Sequence, residues 1–347
     1  MGFPVIMTLD SLGMMLVAEI SGNHLGSKSR AKELISAAHK SGATHVKIQT
    51  YTPDTITLDC DSPNFLVSTD HPIWRNRTLY SVYQEAHTPF EWHSELFEFA
   101  RKLGVKLFST PFDLSAVELL EKINTPLYKI ASLESGDIEL IKAVAKTGKP
   151  VIASTGATTL HEIDNLVNVF KSQGNLQLTL LLCTSAYPTP VSGVNLERLK
   201  LLQNRYNLPV GLSDHTLGLE ASLGAVALGA RVIERHFTFL RSDGGPDCAF
   251  SLEPSEFRSL SASMEKIALA LGDPEWNLNP LEDESRRFRR SLYVVKDVRI
   301  GEELTNENVR SIRPSGGLNP MHLQSLIGKT FMGNYKTGTP LTLKMLT

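Results

Sequence analysis

Short apolar, β-branched segments alternate with helix-patterned stretches eight times between residues 16 and 271, and this repeat restricts the possible folds more than any other feature. The strand-like segments fall at 16–20, 45–49, 106–109, 127–131, 150–154, 178–183, 209–212 and 231–234. Between them, apolar residues recur at three- and four-residue spacing, as in Ala31, Leu34, Ile35 and Ala38 or Leu96, Phe99, Ala100 and Leu103. Strands joined through helices pair in parallel, and eight such units over about 250 residues predict an α/β chain closed into a TIM (β/α)8 barrel. A doubly wound open sheet also alternates, but it has fewer strands and a Gly-rich first turn that is missing here.

The pattern has one large interruption and one end. Residues 51–87 mix Pro, Thr, Asp and aromatics without a clear period, and they predict an ordered loop over the barrel mouth. The last barrel helix starts after Pro254 and closes a domain of residues 1–272. Residues 273–290, with Pro274, Pro280 and a charged run from Glu282 to Arg287, predict an exposed linker. From 291 to 347 short strand-like pieces and tight turns predict a small C-terminal β-rich domain, too small to hold a large core of its own.

Composition excludes several classes. A net charge of -2 and a pI near 6.6 give no field for nucleic acid or an anionic membrane surface, so any anionic ligand must be held by local lysines and arginines. Cys60, Cys183 and Cys248 are odd in number and lack CxxC spacing, and they read as reduced thiols. The mildly apolar start is interrupted by Asp10 and carries no basic leader, and no apolar run reaches membrane-spanning length. The expectation is a cytoplasmic protein with no nucleic-acid or membrane partner.

A TIM barrel places its site at the carboxyl ends of the strands, so candidate residues can be taken strand by strand. The first delivers Glu19, Ser21, Asn23 and His24; the second, Lys47 and Gln49; the third, Ser109 and Thr110; the fourth, Lys129, Ser132 and Glu134. The fifth delivers Ser154, Thr155 and Gly156; the sixth, Thr184, Ser185 and Tyr187; the seventh, Ser213, Asp214 and His215; the eighth, Glu234, Arg235 and His236. Lys47 and Lys129, on alternate strands, face a common pocket, and with Thr110, Ser132, Ser154 and Ser213 they form a cradle for a small, highly charged anion such as phosphate. The competing reading is a pair of lysines with their heads in solvent. His215 and His236 end adjacent strands and make a seat for a divalent metal, where an arbitrary pair of histidines would be one core and one surface residue. Asp247, in the turn-rich stretch 241–247, is either part of a plain turn or a carboxylate beside that metal edge.

At this point the residues resemble a family. Lys129-Ile130-Ala131-Ser132-Leu133-Glu134, Ser154-Thr155-Gly156, Tyr187-Pro188-Thr189-Pro190, Gly211-Leu212-Ser213-Asp214-His215-Thr216 and Glu234-Arg235-His236-Phe237-Thr238 together resemble the sialic acid synthase family, and Ile312-Arg313-Pro314-Ser315-Gly316-Gly317 resembles its antifreeze-like (SAF) domain. Loop stretches such as 49–55, 78–80, 91–93, 243–247 and 250–254 look most like the branch of that family that makes pseudaminic acid. The resemblance implies condensation of phosphoenolpyruvate with an open-chain 2,4-diacetamido-2,4,6-trideoxy hexose, giving a nine-carbon 2-keto acid and phosphate. It implies that Lys47, Thr110, Lys129, Ser132, Ser154, Ser185 and Ser213 hold phosphoenolpyruvate, and that His215 and His236 bind Mn2+ or Mg2+ as a Lewis acid. It further implies Glu134 as handler of the water's protons, and Gln49, Tyr187, Asp247 and Arg313 as sugar contacts. Arg313 would come from a partner in a homodimer with exchanged C-terminal domains.

One departure concerns the sugar. Synthases of this family that resemble the chain carry an acidic residue after the Asn-His pair, whereas Asn23-His24 is followed here by Leu25, which argues against N-acetylmannosamine. Rival readings are a legionaminic or N-acetylneuraminic acid synthase, a Schiff-base aldolase with Lys129 as nucleophile, and a non-catalytic sugar binder using the C-terminal domain. The aldolase leaves both histidines unexplained.

Overall fold

In the computed structural model, eight parallel strands close in sequence order into a barrel: β1 Met15–Glu19, β2 His45–Thr50, β3 Lys106–Pro111, β4 Tyr128–Ile130, β5 Val151–Ser154, β6 Leu178–Cys183, β7 Val210–Asp214 and β8 Val232–His236. The structure describes residues 8–68, 74–272 and 274–347. The apolar start of the chain, residues 69–73 of the expected loop and residue 273 of the expected linker therefore lie outside it. Four strands, β2, β3, β7 and β8, run further than their apolar runs suggest. β7 and β8 stay paired through Ser213 with Glu234 and Asp214 with Arg235, and β1 pairs Glu19 with His236.

The helices are α1 Lys28–Lys40, α2 Pro53–Ile56, α3 Leu79–Ala86, α4 Phe90–Leu103, α5 Leu114–Lys122, α6 Ile138–Lys146, α7 Leu160–Ser172, α8 Arg198–Tyr206, α9 Glu220–Ala227 and α10 Pro254–Leu271. Their ends follow from local chemistry. Ser27, Thr78, Asp113, Asp137 and Thr159 cap the N-termini of α1, α3, α5, α6 and α7, each accepting a hydrogen bond from a first-turn amide. Gly104 ends α4 in a left-handed conformation. Each barrel helix turns one apolar stripe to the sheet, as α1 does with Ala31, Leu34, Ile35 and Ala38.

Two apolar zones result. The larger lies between strands and helices; the smaller fills the barrel floor with Val17, Phe108, Leu127, Ile152, Leu181 and Val232. Strand periodicity then fixes what lies two residues further along and faces the same way: Glu19, Thr110, Lys129, Ser154, Cys183 and Glu234. A polar layer on an apolar plug is thus written into the alternation.

The same alternation corrects part of the strand-end reading. Arg235 and Asp214 point outward, where Arg235 Nη1 lies 2.5 Å from Asp214 Oδ2 and the carboxylate accepts from Ser222 of α9. Asn23 donates to the Phe237 carbonyl and Ser251, and Ser109 to the Ile48 carbonyl. These four residues brace the frame instead of facing the mouth. The expected loop at 51–87 is partly helical, because Thr78 caps α3 and Val82 and Ala86, four residues apart, give it one buried face.

Asp273–Thr347 forms a second compact unit, after Met1–Gly272. Its β9 Ser291–Val294 and β10 Val309–Ile312 pair antiparallel, and Leu292, Val294, Val298, Leu304, Val309, Phe331 and Leu341 form its core.

Candidate active site

The polar layer opens into a cavity of about 320 Å³ at the carboxyl end of the barrel. Lys47, Gln49, Lys129, Ser132, Glu134, Ser154, Tyr187, Ser213, His215, His236 and Asp247 all line it. Three expected residues do not. Thr110 sits below, accepting from Lys47 Nζ at 3.2 Å, and Ser185 stands behind Gly156. Arg313 lies in the second unit, just past β10.

The lysines are not free cations. Lys47 Nζ is 2.5 Å from Glu19 Oε2 and 3.3 Å from Glu234 Oε1, and Lys129 Nζ is 3.7 Å from the same Glu234 oxygen. Lys129 also donates to Ser154 Oγ at 2.7 Å. Burial alone would lower the Lys47 ammonium, but Glu19 and Glu234 outweigh it and hold it above the ordinary lysine value. For Lys129 burial wins, and its pKa falls despite Glu234. Burial pushes Glu19 up to about 7 against the pull of Lys47, while Lys129 and Lys47 overcome burial at Glu234 and hold it low. Sequence reasoning placed both glutamates at strand ends and gave them no role; their register against the lysines was the available signal.

Around Gly156 three hydroxyl-bearing loops meet. Its amide donates to Ser132 Oγ at 3.1 Å, and a Cβ at this position would lie 2.4 Å from Ser185 Oγ and 2.8 Å from Ser132 Oγ. Only glycine leaves those hydroxyls where they are. Cys183, missed by the sequence reading, lines the cavity beside them, and burial of its thiol is outweighed by His215, Ser132 and Lys129, bringing it down to about 7.

Tyr187, His215, His236 and Phe250 form an aromatic cluster. The His215 ring centroid lies 4.4 Å from that of Tyr187 and 5.3 Å from that of His236, and His236 lies 4.9 Å from Phe250. Burial lowers the His215 pKa, but Cys183 and the Thr184 carbonyl, 3.2 Å from its Nδ1, outweigh burial and raise it. Nδ1 of His236 is buried and has no hydrogen-bond partner, and burial drives its pKa well below the ordinary value. Two adjacent imidazoles, the His236 ring held neutral by burial and carrying the orphaned nitrogen, fit a divalent metal as donors. Among the described residues no cluster of three or more His, Cys, Asp or Glu is placed to hold one, so water and substrate would complete the shell.

Two carboxylates complete the cavity. Burial raises Glu134 to about 6, its Oε2 has no partner, and it lies beside the lysine layer. Asp247, also raised by burial, accepts from Ser21 Oγ.

A closed parallel barrel with a charged, half-enclosed cavity at its carboxyl end is the architecture of an enzyme acting on a small anionic substrate. Residues 34–275 match the NeuB family and residues 289–347 the SAF domain. The chain belongs to the NeuB family, and is a phosphoenolpyruvate-dependent enzyme of the nonulosonic acid synthase class. It is 43% identical to a pseudaminic acid synthase of Campylobacter jejuni, over 94% of this chain and 95% of that one. It is 42% identical to a pseudaminic acid synthase of Helicobacter pylori, over 94% and 96%. Among solved structures, an N-acetylneuraminic acid (sialic acid) synthetase from Leptospira borgpetersenii in complex with citrate superposes with a TM-score of 0.71 at 30% identity, covering 78% of this chain and 90% of that one.

Proposed function

We propose that the protein is a pseudaminic acid synthase of the cytoplasm, condensing phosphoenolpyruvate with 2,4-diacetamido-2,4,6-trideoxy-L-altrose to give pseudaminic acid and inorganic phosphate. The observation that carries this reading is the likeness, over almost the whole chain, to two pseudaminic acid synthases, with a lower identity to a sialic acid synthetase. Leu25 supports the same choice, because it follows Asn23-His24 where the resembling sialic acid synthases carry an acidic residue.

Lys47, Lys129 and the hydroxyls of Ser132, Ser154 and Ser213 hold the phosphate and carboxylate of phosphoenolpyruvate, with Thr110 positioning Lys47 from below and Ser185 backing the cradle at Gly156. Gln49, Tyr187 and Asp247 orient the sugar, and Arg313 reaches it from the exchanged C-terminal unit of a second copy in a homodimer. His215 and His236 hold Mn2+ or Mg2+, which supplies Lewis-acid polarisation of the sugar aldehyde. C3 of phosphoenolpyruvate forms the new C–C bond to the aldehyde carbon, whose oxygen takes a proton. The electron-poor C2 left behind adds water, and its C–O bond to phosphate breaks. Glu134, with a pKa raised to about 6, is matched to taking the water's proton near neutral pH. The Lys129 ammonium, paired with Glu234, stabilises charge on the departing phosphate instead of forming a Schiff base.

The test is phosphate release from phosphoenolpyruvate with three acceptors, before and after EDTA. These are the diacetamido altrose, its legionaminic-type counterpart and N-acetylmannosamine. Release with the altrose sugar alone, lost in EDTA and restored by Mn2+, is the expected result. Release only with another acceptor refutes the sugar, and borohydride trapping of Lys129 refutes the mechanism.

A further inference from the structure

One side of the cavity is made not by strand ends but by the insertion after β2. Ile56, Trp74, Val82 and Ala86 of that insertion, with Phe112 and Leu133 from the loops after β3 and β4, line it mostly with carbon, and Tyr51 and Tyr83 add the phenol rings of the same insertion. Val82 and Ala86 are 3% and 7% exposed, yet neither belongs to any of the molecule's apolar cores. Both line the cavity instead of joining a packed core. Leu133 is 74% exposed at the same rim, between Ser132 and Glu134.

This wall is held rigidly. A Cβ on Gly22 would come within 3.1 Å of Ala86, so glycine there allows α3 to close onto the turn after β1. Tyr83 of α3 packs edge-on to Tyr51 at 5.7 Å, and Trp74 Nε1 donates to the Pro246 carbonyl at 3.2 Å, next to Asp247. The apolar wall therefore meets the polar half of the cavity at Asp247.

We infer that this wall, centred on Val82 and Ala86, receives the methyl groups of the acceptor sugar, the C6 methyl foremost, and so selects a 6-deoxy sugar over one bearing a 6-hydroxyl. The inference rests on the reading of the acceptor under Proposed function. Its physical basis is that Val82, Ala86, Leu133 and Ile56 offer no side-chain partner to a hydroxyl, which would be desolvated against them without a hydrogen bond. A methyl in the same place gains contact and loses nothing.

The experiment compares kcat/KM for the diacetamido altrose with that for its counterpart retaining the 6-hydroxyl, in the wild-type chain, Val82→Thr and Leu133→Ser. An apolar pocket rejects an added hydroxyl by about 100-fold, so the wild type is expected to favour the 6-deoxy sugar by that ratio. Each variant is expected to narrow the ratio by about tenfold, mainly through the KM of the 6-deoxy acceptor, with the KM for phosphoenolpyruvate unmoved. Val82 is buried and its replacement could weaken folding; Leu133 is exposed and its replacement cannot be explained that way. An active wild type whose ratio stays unchanged in both variants overturns the inference alone. A wild type that turns over neither acceptor overturns it together with the function on which it rests.

Discussion

Gly156→Ala tests the anion cradle at its tightest point. The new Cβ would stand 2.4 Å from Ser185 Oγ, 2.8 Å from Ser132 Oγ and 3.1 Å from Cys183 Sγ, where ordinary contact starts near 3.4 Å. The clashing atoms are ends of short side chains, so the hydroxyls rotate away before the backbone gives. A displacement of about 1 Å takes a hydrogen bond to phosphate out of range. Each hydrogen bond to a charged group contributes about 1.5–3 kcal/mol, so losing one raises the KM for phosphoenolpyruvate by about 10- to 150-fold. The assay is phosphate release against phosphoenolpyruvate concentration at saturating acceptor, with thermal unfolding followed in parallel. Gly136→Ala serves as control, since a Cβ there meets nothing within 4 Å. An unchanged KM in a folded Gly156→Ala enzyme would refute the placement of phosphoenolpyruvate around these hydroxyls.

Four further outcomes are expected. His236→Ala should abolish turnover and weaken Mn2+ binding, read by titration calorimetry, while the unfolding midpoint holds, because the removed ring already carries an unpartnered nitrogen. Glu134→Gln should cut kcat by about 10²–10⁴ and remove an acid limb near pH 6, since the wild-type carboxylate loses its basic form as pH falls through that value. The same change should raise, not lower, stability at pH 8: the folded state holds that proton more tightly than the unfolded chain, so ionisation above pH 6 costs stability that an amide does not lose. Arg235→Met should destabilise by about 3–5 kcal/mol in urea unfolding, leaving the fully buried Asp214 carboxylate without its partner. Mixing inactive Arg313→Ala and His236→Ala chains should restore activity if the homodimer exchanges its C-terminal units, and two chains that stay inactive after refolding together would refute the exchange.

Much of this was legible before any coordinates. The eightfold alternation is a property of residue order, and period two alone puts Lys47, Lys129, Glu234 and His236 on the inner face. The strand-end reading failed where it ignored that same period: Arg235 lies between Glu234 and His236 and must face the helices. Thr110 and Ser185 carry the right chemistry but stand one layer back from the cavity, a matter of depth that residue type does not encode. Helix α3 was missed because eight residues present too few turns to show a period inside an aperiodic stretch. The apolar wall followed it out of sight, since Val82 and Ala86 meet Phe112 and Leu133 only in space.

The glutamates explain why a site for an anion contains carboxylates at all. Two lysines buried side by side, with no counter-charge, would shed protons to escape both burial and each other. Lys129 already shows that tendency, its pKa lowered by burial with Lys47 adding to the fall. Glu234 sits between the two ammoniums and accepts from Ser213 at 3.2 Å, so one carboxylate opposes that fall at both lysines and ties β2, β4, β7 and β8 together. Glu19 is different. Of the two lysines it pairs with Lys47 only, it also accepts from the Ser21 amide at 2.6 Å, and burial pushes its pKa up to about 7, so it can take up a proton near neutral pH. Formally the four residues cancel; with the Glu19 proton they carry a net positive charge. A fixed pair of lysines would be costly to desolvate and hard to empty of product, whereas a quartet with one proton to gain or lose can match the charge of what it holds. On the proposed function, the layer that would anchor phosphoenolpyruvate can thus shift its charge, and the residue whose proton shifts it is Glu19.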